Sequence, residues 1–144
     1  MIADGSDEAG WSTTSGTHVL EIRQAITHLP EVKRHVVAGQ IHDAEDDVIM
    51  IRLEGEHLFV EGGGDELATL DPSYELGTIF TVRMEASDGH IRVYHDGVLV
   101  LDLEREADGC YFKAGAYTQS NLDRGDTPGA YGEVVIHDLQ LSHR

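Results

Sequence analysis

The most restrictive feature of this sequence is its punctuation. Short β-branched or alternating runs follow one another from end to end: His18–Ile26, Arg34–His42, Val48–Leu53, His57–Val60, Ile79–Glu85, Ile91–His95, Val98–Leu103, Cys110–Gln119 and Gly132–Leu141. Between them stand turn formers of hairpin type: Glu54-Gly55-Glu56, Gly62-Gly63-Gly64-Asp65, Asp71-Pro72-Ser73, Asp88-Gly89 and Asp96-Gly97. Asp96-Gly97 is the clearest, because a type I′ turn needs left-handed φ at both central residues and the flanking Ile91–His95 and Val98–Leu101 are apolar and β-branched. No stretch carries a helical period. Many short strands at such spacing predict an all-β fold: a two-sheet sandwich, jelly roll or barrel.

The chain has 144 residues, 40% of them hydrophobic, which suits a single domain over 1–144 with a real core. A domain of this size buries roughly 70% of its unfolded surface. The polar, glycine-bearing start through residue 16 reads as a loop, and Ser120–Ala130 as a second long loop. The single cysteine, Cys110, excludes an intrachain disulfide and reads as a small buried hydrophobe. No run approaches a membrane span, and Met1–Glu8 is acidic where a signal peptide would be basic and then apolar, so no membrane partner and no export signal are expected. A net charge of −17, from 27 acidic and 10 basic residues, argues against nucleic acid, which needs a positive footprint. It fits either ordinary acidic solubility or a protein kept soluble in strong brine.

Strand periodicity then places the polar residues. In Val36–His42 a period of two puts Gln40 and His42 on one face and Val37 and Ile41 on the other. In Tyr111–Gln119 it lines up Tyr111, Lys113, Tyr117 and Gln119 against Phe112, Ala114, Ala116 and Thr118. Bulky donors beside small residues (Ala38, Gly39, Ala114, Gly115) suit the floor of a carbohydrate groove. The other histidines, at 18, 28, 35, 57, 90, 95, 137 and 143, show no metal-ligand spacing, and no metal or cofactor is expected.

Gln40-Ile41-His42 and Tyr111-Phe-Lys-Ala-Gly-Ala-Tyr-Thr-Gln119 resemble two of the three signatures of polysaccharide lyase family 7, the alginate lyases, in that family's order. Trp11–Thr17, Gln24–Pro30, His35–Gly39, Ile51–Gly55 and Tyr131–Ile136 are similar to it as well. The resemblance covers essentially the whole chain. It implies a jelly-roll β-sandwich of two antiparallel sheets, alginate or a related polyuronate as the partner, and secretion. The family's first signature, an Arg-x-Glu-x-Arg strand, belongs upstream of a segment like Ala3–Gly10, so the fold is expected to be N-terminally shortened, and a homo-oligomer is expected to complete the sheet. Leu20–Arg23 has the wrong position for that signature and lacks its leading arginine.

The implied reaction is β-elimination. The C5 proton of a 4-linked uronate, α to the carboxylate, is removed and O4 departs, leaving an unsaturated sugar. The resemblance implies that Gln40 hydrogen-bonds the carboxylate as charge builds on it. It implies Tyr117 as the acid that protonates O4 and as the base on mannuronate, and His42 as the base on guluronate. Tyr111, Lys113 and Gln119 would bind the polymer. Arg52, in the family-like Ile51–Gly55 segment, or Lys113 would substitute for the upstream arginine. Ile41 leans toward guluronate-containing substrates. Without that arginine, the alternative is a weakened or inactive module that still binds alginate.

Overall fold

The computed structural model describes residues 10–29, 35–43, 47–117 and 133–144, with the backbone alone at 115–117. Every regular element among them is a strand: β1 (Thr17–His28), β2 (His35–His42), β3 (Asp47–Glu54), β4 (His57–Gly62), β5 (Asp65–Asp71), β6 (Ile79–Ser87), β7 (His90–His95), β8 (Val98–Glu104), β9 (Tyr111–Tyr117) and β10 (Glu133–His143). They form two five-stranded antiparallel sheets, ordered β10-β1-β6-β7-β8 and β5-β4-β3-β2-β9, the jelly-roll sandwich expected from the sequence.

The expected hairpin between β7 and β8 is present, with φ of 50° at Asp96 and 85° at Gly97, the left-handed pair that a type I′ turn demands. Asp96 also accepts a bond at its carboxylate from the Thr81 amide, tying the turn to β6. One strand was not anticipated. β5 reads Asp-Glu-Leu-Ala-Thr-Leu-Asp, poor strand formers with no clean alternation, and it exists because the free edge of β4 supplies its ladder.

Leu20, Ile22 and Ile26 of β1 and Val82 and Met84 of β6 meet Ile41 of β2 and Ile49, Ile51 and Leu53 of β3 in one core between the sheets. Each such side chain is worth about 1.5–3 kcal/mol on burial. The expected facing of β2 needs one correction. The β2–β3 register slips between Val37 and Gly39, so Ala38 is an extra, bulged residue, and Val36 and Ala38 rather than Val37 join Ile41 in the core.

The 10–16 segment is pinned rather than loose. The Thr13 hydroxyl is buried, donates to the Arg105 carbonyl and accepts from the Ala107 amide. Trp11 exchanges backbone bonds with Cys110 and stacks on His18, centroids 4.4 Å apart. His18 in turn joins the two ends of the sheet. Its Nε2 donates to the Ser15 carbonyl, which can only accept, so its Nδ1 accepts from the Nδ1–H of His143 at 2.7 Å. Burial first, and the neighbouring His18 second, hold His143 below the usual histidine range.

Candidate active site

The site is built by cross-strand register on the face of β9, β2 and β3 turned away from the core. Three rows of opposed residues cross that sheet. Tyr111, His42 and Asp47 form the first; Lys113, Gln40, Met50, Glu61 and Glu66 the second; Val37, Arg52, Phe59 and Thr69 the third, with the backbone of Tyr117 opposite Val37. The structure therefore brings together four of the expected residues, Gln40, His42, Tyr111 and Lys113. At ~4.8 Å per strand, the backbones of Tyr117 and Arg52 stand about 10 Å apart with Val37 between them. Gln119 lies outside the described residues.

His42 is held from several sides. Its ring stacks on Tyr111, centroids 5.1 Å apart, and Tyr111 carries the Lys113 ammonium 5.8 Å from its ring centre. Nδ1 lies 2.9 Å from the Asp43 carbonyl oxygen and 3.2 Å from the Tyr111 hydroxyl. A carbonyl only accepts, so Nδ1 carries a proton, and in the neutral ring the lone pair is on Nε2. Asp47 Oδ1 is 3.5 Å from that Nε2. Gln40 sits one row away, 4% exposed, with its carboxamide-bearing side chain in the middle of the sheet.

Arg52 is already engaged. Its Nη1 is 3.1 Å from Glu61 and its Nη2 3.5 Å from Glu54, while its buried Nε has no partner among the described residues. Farther out, Glu66 accepts from Thr69 and pairs with His57, and those bonds lower its carboxyl below the usual range. Cys110 is fully buried beside this sheet, and burial pushes its thiol up to about 11, which removes it as a nucleophile. Among the described residues no group of three or more His, Cys, Asp or Glu could hold a metal ion, and no helix is long and apolar enough to cross a membrane.

Two residues escaped the sequence reading, Asp47 and Glu61. The β3–β4 hairpin around Gly55-Glu56 could have set Glu61 diagonally from Arg52. Asp47 had no such signal, because its pairing with His42 depends on a second register slip that leaves Val48 unopposed.

The profile of a protein family described as alginate lyase matches residues 1–143. The chain belongs to polysaccharide lyase family 7. The solved structure of alginate lyase AlgAT5, from family 7, is 63% identical, with a TM-score of 0.92, and the match covers 100% of this chain and 67% of that one. The alginate lyase from Corynebacterium sp. is 42% identical with a TM-score of 0.89, covering 100% and 66%. A truncated AlyQ with CBM32 and alginate lyase domains is 38% identical with a TM-score of 0.86, covering 98% and 45%. A comparison with curated proteins returned no match. This family 7 chain thus spans about two thirds of the length of AlgAT5 and of the Corynebacterium enzyme. Membership of the alginate lyases makes it a polysaccharide lyase by class.

Proposed function

We propose that this chain cleaves alginate by β-elimination, with Gln40, His42 and Tyr117 carrying the reaction. The observation that supports this most directly is the setting of His42: Nδ1 against a backbone carbonyl and the ring stacked on Tyr111, one row from Gln40, which in the neutral ring puts the lone pair on Nε2. On guluronate, Nε2 takes the C5 proton, and the C5 electron pair forms the C4–C5 double bond. Gln40 donates to the substrate carboxylate as negative charge moves onto it. The Tyr117 hydroxyl gives its proton to O4 as the C4–O4 bond breaks. On mannuronate, where both events fall on one face of the sugar, Tyr117 accepts the C5 proton and returns one to O4. Tyr111, Lys113 and Gln119 hold the polymer. Lys113 is the better placed of the two cations to meet a substrate carboxylate, because Arg52 must first leave Glu61.

Apolar side chains exposed on both edge strands of the first sheet, Val98 and Leu99 of β8 and Val135, Ile136 and Leu141 of β10, support the expected self-association. A polymer substrate supports action outside the cell. The deciding test follows the ultraviolet absorbance of the new double bond on polyguluronate and polymannuronate. Signal on either polymer is expected, and His42→Asn should cost more on polyguluronate than on polymannuronate. Binding of both polymers with no absorbance change would leave only the alginate-binding module.

A further inference from the structure

A carboxylate in a site for a polyanion works against binding, and Asp47 stands inside this one. Its Oδ1 is 3.5 Å from His42 Nε2, the nitrogen that is unprotonated when the neutral ring donates its Nδ1–H to the Asp43 carbonyl. The sheet goes out of its regular register to put it there. Ile41 pairs with Ile49, yet His42 pairs with Asp47, so Val48 is skipped, and both Val48 and Ile49 go into the core. In the neutral ring, Nε2 and the carboxylate are two acceptors with no proton to share, and 3.5 Å is longer than a normal hydrogen bond. Once Nε2 has gained a proton the same geometry becomes a charge-assisted pair, which closes to hydrogen-bond length by a side-chain rotation.

We infer that Asp47 is a positioning residue for His42: it orients the ring and receives the imidazolium Nε2–H that forms when the C5 proton is taken. The inference rests on the assignment of His42 as the base on guluronate. The proton moves from C5 to Nε2 and is then shared with the Asp47 carboxylate, from which water takes it before the next turnover. Among the described residues Asp47 is the acceptor that faces Nε2, since Tyr111 and the Asp43 carbonyl both meet Nδ1.

The test is a double-mutant cycle of Asp47→Asn and His42→Asn on the two polymers, with Asp47→Glu as the conservative variant. Outer partners that orient a working histidine are typically worth about 10- to 100-fold. Asp47→Asn should therefore lower kcat on polyguluronate by about that factor, and by less on polymannuronate, where Tyr117 acts as the base. KM should fall or stay level, because a repelling charge is gone. In the His42→Asn background the same change should cost little further, and Asp47→Glu should restore part of the rate. An equal loss on both polymers, an undiminished loss in the His42→Asn background, or no loss at all would each overturn the role of Asp47. If His42→Asn itself costs nothing on polyguluronate, the base assignment fails first and Asp47 fails with it.

Discussion

The outward face of the second sheet has two halves with the same architecture and different pairing of their polar groups. At the β9–β2 end, the His42 ring is oriented by Tyr111 and the Asp43 carbonyl, and the Lys113 ammonium lies over the Tyr111 ring. Across β3, β4 and β5, Arg52 is tied to Glu54 and Glu61, and His57 and Thr69 to Glu66, so the polar groups satisfy one another and the balance is acidic. The comparison teaches that a cation on a polyanion-binding face is not thereby a ligand for it. What decides is whether the fold has already given it a carboxylate.

The largest test of the contrast lies on β9. Tyr117→Phe removes one oxygen, and losing a positioned acid or base typically costs about 10²–10⁴ in rate. That loss should fall on kcat with KM nearly unchanged, the pattern of an interaction made in the transition state. Tyr111→Phe, which removes a binding group, should move KM more than kcat. The reverse pattern would redraw the site around the start of β9.

Next in size is the pair of cations. Lys113→Ala should raise KM for alginate by about tenfold, the equivalent of about 1.4 kcal/mol. Arg52→Ala should do less to KM and more to stability, because hydrogen bonds to charged groups are worth about 1.5–3 kcal/mol and Glu61 would be left half-buried without its partner. Steady-state kinetics and urea unfolding on both variants separate the two. If Arg52→Ala binds alginate worse than Lys113→Ala does, the neutralised half is part of the binding site after all.

A smaller effect concerns acid. His143 is held below the usual histidine range, so the folded chain binds fewer protons there than the unfolded one. Stability is fully present above the unfolded value of about 6.5 and is lost as pH falls from there through the lower folded value. Asp102 and Glu66, lowered by their own bonds, act only in the more acidic carboxylate range. Thermal melts between neutrality and mild acid should therefore decline in the parent and decline less in His143→Asn. Equal slopes would show that the histidine pair does not govern acid sensitivity.

Salt should have the least effect. A −17 chain and a polyuronate repel at range, and the screening length shrinks from about 30 Å at 0.01 M salt to about 10 Å at 0.1 M. KM should drop a few-fold over that interval. A steady rise instead would mean that the groups at the β9–β2 end outweigh the charge of the whole molecule.

Much of this was legible in the sequence because it depends on local chemistry. The Asp96-Gly97 turn announces itself, and the alternation in Tyr111–Gln119 separates Phe112, in the core, from Tyr111 and Lys113. What was not legible depends on register. One bulged residue, Ala38, moves Val37 off the core face, and one skipped residue, Val48, brings Asp47 to His42; neither leaves a mark in composition or period. β5 was hidden for a related reason, since an edge strand takes its ladder from its neighbour more than from its own propensities. The hold of Thr13 on Arg105 and Ala107 spans more than ninety residues, a distance over which sequence pattern is silent.

The meeting of His18 with His143 has a temporal side. β1 lies between β6 and β10, and its partner β10 is 125 residues downstream at the histidine contact. A ribosome adding about 5–20 residues per second needs roughly 6–25 s to cover that interval, during which β1 waits with that edge unpaired. β2 waits similarly for β9. Such non-local pairing places the chain among slow folders, in which loop closure precedes any reward from contact. The formal charge of −17 sets neighbouring copies against one another at range while such edges are open.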